Sequence, residues 1–410
     1  MKGNRFGQLS LTAAVAALLL TACGADPTAT PTSAPTPTPP PEAVPTPTPD
    51  AAALFQVEWA ALIEAAQAEG EVSLTFGGSA GRNFRPVAEF WGKKFGIKPI
   101  IATGSGSQHV NRVLAEQTAG RYLVDAMYGG ATSVNTRLIP ANALDPIAEE
   151  FIHPEVTDQS LWFGGRHWYA DPGQKFIFAF AAVPEPMTLG VRYNTDLVSQ
   201  EDVDGLNSVW DYLDPKWKGK IVSLNPTAGG SGGTYYTVYV HPDIGREWID
   251  AFMSPELDVT FSDTRTFIID GVAKGKFHMG LGGALSDLDA LAGFGAPVKR
   301  LLKDFKEGGE LAASSSLDLI TVPINRPNPN ASKLWVNWWL SQEGQTLMQT
   351  LAEIEPEPTL RLDVTDWGKT AESLRRVEGK TYFFFDADPE LVALRLEAAE
   401  YTANAYNATH

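Results

Sequence analysis

From residue 54 onward, apolar positions follow two alternating rhythms. In residues 56–69 (QVEWAALIEAAQAE), Val57, Ala60, Ala61, Ile63 and Ala68 recur at helical spacing, and Gly70 supplies a stop. The short apolar run EVSLTF (71–76) then reads as a buried strand and ends in the glycine loop Gly77-Gly78-Ser79-Ala80-Gly81. A helix over about 84–95 stops at Gly96, strand IKPIIAT (97–103) follows, and the loop Gly104-Ser105-Gly106-Ser107 opens a helix that runs through Glu116. Strand LVDAMY (123–128) leads to a third loop, Gly129-Gly130-Ala131-Thr132. Strand, glycine loop and helix thus succeed one another three times, the spacing that parallel βαβ units produce. Farther on, KIVSLN feeds the loop 227–233 and the aromatic helix candidate TYYTVYV. ASKLWVNWWLSQEGQTLMQTL reads as a strong amphipathic helix. The pattern predicts an α/β protein in which the glycine loops share the carboxyl edge of a parallel sheet, where open sheets bind ligands.

Before residue 54 the rhythm differs. Lys2 and Arg5 precede an apolar stretch at 9–22, too short for the roughly 20 residues that span a bilayer, so it reads as a secretory signal. Residues 26–50 are nearly all Pro, Thr, Ala and Ser. Proline fixes φ and removes the amide donor, so this stretch reads as an extended spacer of roughly 3 Å per residue.

Composition narrows the function classes. The 410 residues suffice for two lobes, and 11 Trp and 20 Phe argue for well-packed cores. A formal charge of −17 argues against nucleic acid as a partner. Cys23 is the single cysteine. The segment Leu20-Thr21-Ala22-Cys23 resembles the bacterial lipoprotein box, in which the cysteine is lipidated and becomes the new N-terminus. That resemblance implies a protein anchored at the extracytoplasmic face of the cell membrane, with no thiol left for a disulfide, a metal or nucleophilic catalysis.

Four segments carry a second resemblance: VRYNTDLV (191–198), VWDYLDPKWKGKIVSLNPTAGGSGG (209–233), DGVAKGKFHMGLGG (270–283) and NASKLWVNWWLSQEGQ (330–345). Together they resemble an extracellular solute-binding lipoprotein of an ABC importer, in the branch of ferric-iron, thiamine and phosphonate binders. This implies a two-lobed type II periplasmic-binding-protein-like fold, each lobe a mixed sheet flanked by helices, with the ligand cleft between them. It also implies a non-enzymatic, cofactor-free monomer that delivers a small solute to permease subunits. The expected organisation is a signal peptide at 1–22 and the lipidated cysteine with its linker at 23–53. Lobe 1 follows at 54–188, lobe 2 at 189–294 and a return to lobe 1 at 295–350. A C-terminal helical segment at 351–410 is expected to pack on lobe 2.

Exposed loop amides at helix starts suit an anion, and Ser79, Ser105, Thr132 and Ser231 add hydroxyls. Arg82 is placed to clamp a carboxylate or phosphate, and Arg265 is a second candidate cation. Tyr235 is a candidate on a helix with one core face and one cleft face, and Asp287 is a candidate partner for an amine. Trp162, Trp168 and Tyr169 read as packing sooner than as a stacking platform. The six histidines show no metal-site spacing. The stretch after the DGVAKGKF phrase lacks the adjacent tyrosines of the iron branch, which leaves an organic or oxyanionic solute as the expectation and no metal. Two rivals stand beside it. One is a membrane-anchored serine hydrolase, since Ser79 and Ser231 each sit in G-x-S-x-G with His241 or His278 as the base; the other is a sensor ectodomain.

Overall fold

The computed structural model describes residues 50–78, 80–227, 232–282, 285–313, 317–353 and 356–410. The signal, Cys23 and the proline-rich linker lie outside the described residues, as do Ser79 and Ser231.

Strand Glu71–Gly77 is the centre of the first sheet, with Lys98–Gly104 and Ala126–Tyr128 parallel on either side. Two left-handed glycines make the turns between helix and strand. Gly70 (φ 78°) closes helix Ala51–Glu69 and donates to the Ala66 carbonyl; Gly96 (φ 70°) closes helix Arg85–Phe95 and donates to Gly92. Helix Arg85–Phe95 buries Val87, Ala88, Trp91 and Phe95, the stripe its spacing predicts. Against the sheet lies helix Pro329–Leu340, whose Trp335 and Trp339 meet Phe76, Phe84, Tyr128 and Phe180 in one aromatic cluster. The Trp335 indole donates to the Tyr128 hydroxyl at 2.9 Å, so these two polar tips satisfy each other.

The second lobe holds a five-stranded sheet in the order Thr260–Ser262, Ile221–Leu224, Met279–Leu281, Arg192–Asn194, Val298–Arg300. The first three strands are parallel to one another, and the last two join antiparallel. Trp217, Trp248 and Phe252 fill one core of this lobe, while Val222, Leu224, Ile268 and Phe277 belong to another.

The chain crosses between lobes three times. Ala182 packs in the first core and Met187 in the second; Phe305 lies in the second and Leu311 in the first; Phe384 and Phe385 divide between them. The crossing segments form a sheet of their own, with Gly309–Ala312 central, Val183–Pro186 antiparallel and Tyr382–Phe383 parallel. Two expected boundaries therefore move. Strand Val298–Arg300 belongs to the lobe 2 sheet, so the return comes at Gly309 rather than at residue 295. After residue 351 the chain stays with lobe 1: Arg361, fully buried, pairs with Asp363 at 2.6 Å and lies over Trp162. Within 351–410, lobe 2 is met from Phe385 onward, chiefly by helix Arg395–Thr409 against helices Gly232–Val240 and Gly245–Met253. Among the described residues, no helix is long and apolar enough to cross a membrane.

Candidate solute-binding edges

Because the three strands of the first sheet are parallel, the loops that follow them emerge along one edge. Gly77 lies opposite Gly104, and the Gly78 amide donates to the Gly104 carbonyl at 2.6 Å, which holds the first two loops together. Gly81 makes that approach possible. A Cβ there would press on Cγ2 of Thr103 more closely than real side chains approach. Arg82 follows, exposed in the short helix Ala80–Asn83, with no hydrogen-bond or ion-pair partner among the described residues. Thr132 is also exposed at this edge, behind strand Ala126–Tyr128, and no hydrogen bond among the described residues occupies its hydroxyl.

Ser105 has a structural task here. Its hydroxyl accepts from the Gln108 amide at 3.2 Å while the Gln108 side chain accepts from the Ser105 amide at 2.8 Å, a complete capping box for helix Gly106–Thr118. Below it, His109 is buried with Nε2 3.2 Å from the Phe76 carbonyl. Burial, helped by the Arg112 charge and opposed by that hydrogen bond, lowers its pKa, so it serves as a neutral core group.

The parallel strands of lobe 2 make a matching edge. Asn225 closes the turn after Ile221–Leu224, accepting from the Thr227 amide at 2.8 Å and donating to Asp263 at 2.8 Å. Arg265 is exposed at the first position of helix Arg265–Ala273 and has no partner among the described residues. An arginine adds to the positive end of a helix and is favourable there only when an anion answers both. Asp287 is exposed in the first turn of helix Ser286–Gly293, where its charge suits the helix end without any ligand. Gly282 (φ 80°) lets this loop pass strand Ile221–Leu224; a Cβ would sit 2.8 Å from the Ser223 hydroxyl.

Tyr235 departs from expectation. It is buried, and its hydroxyl lies 2.8 Å from that of Ser223 and 3.3 Å from the Leu224 carbonyl. Tyr236 is buried as well and donates to the Phe385 carbonyl at 2.6 Å. The helix they share packs against helices Gly245–Met253 and Arg395–Thr409, and both rings lie in the lobe 2 core, so neither has a cleft face. Trp162, Trp168 and Tyr169 belong to the lobe 1 core or pack against it, as packing side chains do. His241 uses both ring nitrogens internally, one near the Glu307 carbonyl at 3.1 Å and one accepting from the Asp243 amide at 3.1 Å. His278 has no carboxylate hydrogen-bond partner among the described residues, so neither histidine has the orienting acid a hydrolase triad needs.

Two arrangements escape sequence reading. Arg192 of the VRYN phrase holds Asp289 through two hydrogen bonds, at 2.6 and 3.2 Å. A group of charges gathers at the crossing strands, around Glu185 and Glu310. Among the described residues, no three His, Cys, Asp or Glu side chains gather as a metal site would require. A groove of about 590 Å³ lies between helices on lobe 1, lined by Trp59, Phe90, His153 and Trp338 among others, and none of its lining comes from the sheet-edge loops.

No protein-family model matches the chain. A Haemophilus influenzae protein described as uncharacterized is 23% identical over 260 residues, 63% of this chain and 69% of that protein. Among solved structures, iron-bound HitA from Pseudomonas aeruginosa is similar at 16% identity and TM-score 0.53, covering 82% of this chain and 99% of its own. Trichodesmium FutA with iron and citrate is similar at 17% identity and TM-score 0.56, covering 82% and 99%. AfuA from Actinobacillus pleuropneumoniae, a periplasmic binding protein with fructose-6-phosphate bound, is similar at 16% identity and TM-score 0.51, covering 83% and 98%. These neighbours are binding proteins, and the chain has the two-lobed α/β fold of the periplasmic binding proteins.

Proposed function

We propose that the protein is the solute-capturing component of an ABC importer, which holds a small anionic solute between its lobes and delivers it to a permease. The observation that carries this reading is the pair Arg82 and Arg265, without partners among the described residues, one on the carboxyl edge of each lobe's sheet. A solute that bridges the two edges favours the closed arrangement by its differential affinity for it. No covalent step is required.

The neighbours include binders of iron, of iron with citrate, and of a sugar phosphate. A carboxylate or phosphate solute suits this chain better than bare iron, because Tyr235 and Tyr236 both turn their hydroxyls inward. Ser79 and Ser231 are proposed to add hydroxyl donors, with Ser105 and Thr132, and Asp287 to meet any amine the solute carries. In this reading residues 1–22 are a signal peptide, Cys23 carries the lipid and the Pro/Thr-rich linker holds the monomeric body off the extracytoplasmic membrane face.

Titration calorimetry tests the reading with citrate, inorganic phosphate and fructose-6-phosphate as probes. At least one is expected to bind, and Arg82→Ala is expected to weaken it about tenfold or more, the loss of a charge-assisted hydrogen bond. An anionic hit unaffected by both Arg82→Ala and Arg265→Ala would refute the two-arginine clamp. Cys23→Ser is expected to release the protein from membranes with its affinity intact.

A further inference from the structure

The crossing strands carry a cluster of charges. Glu185 and Glu310 stand directly opposite each other in the antiparallel pair Val183–Pro186 and Gly309–Ala312. Opposed side chains share a face, with Cβ atoms about 5 Å apart, and like charges there repel. Each neighbouring element adds a group. From the lobe 2 sheet, Arg300 pairs with Glu185 at 2.5 Å. From the segment beyond the third crossing, Asp386 is paired with Arg395 and accepts from the Ala313 amide at 3.2 Å. Helix Gly232–Val240 brings the Thr237 hydroxyl to Glu310, and its Tyr236 ring lies under the Arg395 guanidinium at 4.3 Å. On the other side of the central strand, the Tyr382 ring covers Gly309.

The two guanidiniums are already engaged by Glu185 and Asp386. Glu310 has a hydroxyl for company and no ion pair among the described residues. It is enclosed by protein yet still touches solvent, so protons can reach it.

We propose that Glu310 is a proton-operated latch on the hinge. Protonated, it sits as a neutral hydrogen-bonding group among Glu185, Thr237 and Asp386; deprotonated, it repels both carboxylates and loosens the crossing strands from helix Gly232–Val240. The direction follows from linkage. Burial first, then the charges of Glu185 and Asp386, push Glu310 up to about 8 against the restraint of Thr237 and Arg300. A raised carboxyl contributes stability that is full below its ordinary range and is lost as pH rises through about 8. The latch is therefore set at neutral and acidic pH and released in alkali. It rests on the three crossings and not on any solute.

Hydrogen exchange on the full chain in detergent, without solute and corrected for base-catalysed chemical exchange, tests it between about pH 6 and 9.5. In the wild type, amides of Val183–Pro186 and Gly309–Ala312 are expected to lose protection about tenfold around a midpoint near 8. Glu310→Gln is expected to keep protection flat across the range. Glu185→Gln removes the opposed charge and frees Arg300, so the midpoint is expected to fall. Equal pH dependence in wild type and Glu310→Gln, or none in the wild type, would overturn the latch. Should Glu310→Gln fail to fold, an unchanged midpoint in Glu185→Gln overturns it instead. Since no solute is present, failure here leaves the capture assignment untouched, and failure of anion binding leaves the latch untouched.

Discussion

The lobe 1 core and the crossing strands are built from opposite materials. In the core, Phe76, Phe84, Tyr128, Phe180, Trp335 and Trp339 pack ring on ring, and the Trp335 indole is satisfied by the Tyr128 hydroxyl. At the crossing, three carboxylates meet two guanidiniums within a sheet of three short strands. Close packing of rings tolerates little displacement, since separating them forfeits many small contacts at once. The ion pairs at the crossing keep 16–24% of their side chains exposed, so water can take over their hydrogen bonds when they part. The lobes should therefore hold their shape while the joint adjusts, as the proposed capture and release of a solute requires.

Breaking the rigid side of this comparison should have the largest effect. Trp339→Ala removes a fully buried ring at the centre of the aromatic cluster and is expected to destabilise by about 3–5 kcal/mol in urea or guanidinium denaturation. A loss below about 1 kcal/mol would mean the cluster is not what holds lobe 1 together. Next comes the close approach of the first two glycine loops. Gly81→Ala is expected to cost about 1–3 kcal/mol through its clash with Thr103, and Thr103→Ala to restore part of it in a double-mutant cycle. No coupling between the two would place the constraint elsewhere.

Smaller effects sharpen the joint and the edges. Between about pH 6 and 9 the melting temperature of Glu310→Gln is expected to fall less than that of the wild type, because the glutamine has no proton to lose on the way through about 8. Ser105→Ala is expected to cost about 1 kcal/mol by removing the capping box. If solute affinity drops as well, the hydroxyl serves both purposes. Arg82→Ala is expected to change stability by less than about 0.5 kcal/mol while weakening an anionic solute, since nothing among the described residues depends on that guanidinium.

What could be read from the chain alone follows the reach of local physics. Strand Glu71–Gly77, its glycine loop and the stops at Gly70 and Gly96 were legible because apolar period and left-handed glycine are local signals. The cations Arg82 and Arg265 were legible for a related reason: each follows a strand whose carboxyl end sets its position. Tyr235 was misplaced because its surroundings depend on a distant element. Helix Arg395–Thr409 covers the face that would otherwise open outward, and nothing near Tyr235 announces it. The crossing sheet was illegible for the same reason. Glu185 and Glu310 become neighbours only through the register of two strands far apart in the chain, and the same long-range pairing moved the return to lobe 1 to Gly309.

A thermal-shift measurement with citrate, inorganic phosphate, fructose-6-phosphate, spermidine, glucose and Fe(III), run on the wild type and on the Arg82→Ala, Arg265→Ala double variant, tests the capture assignment most directly. A ligand that binds only the native state at about 100 times its Kd adds about 2.7 kcal/mol, a shift of several degrees. The account predicts such a shift with at least one of the three anions in the wild type and its loss in the double variant. A shift with Fe(III) alone, or an anion shift that survives removal of both arginines, would contradict it.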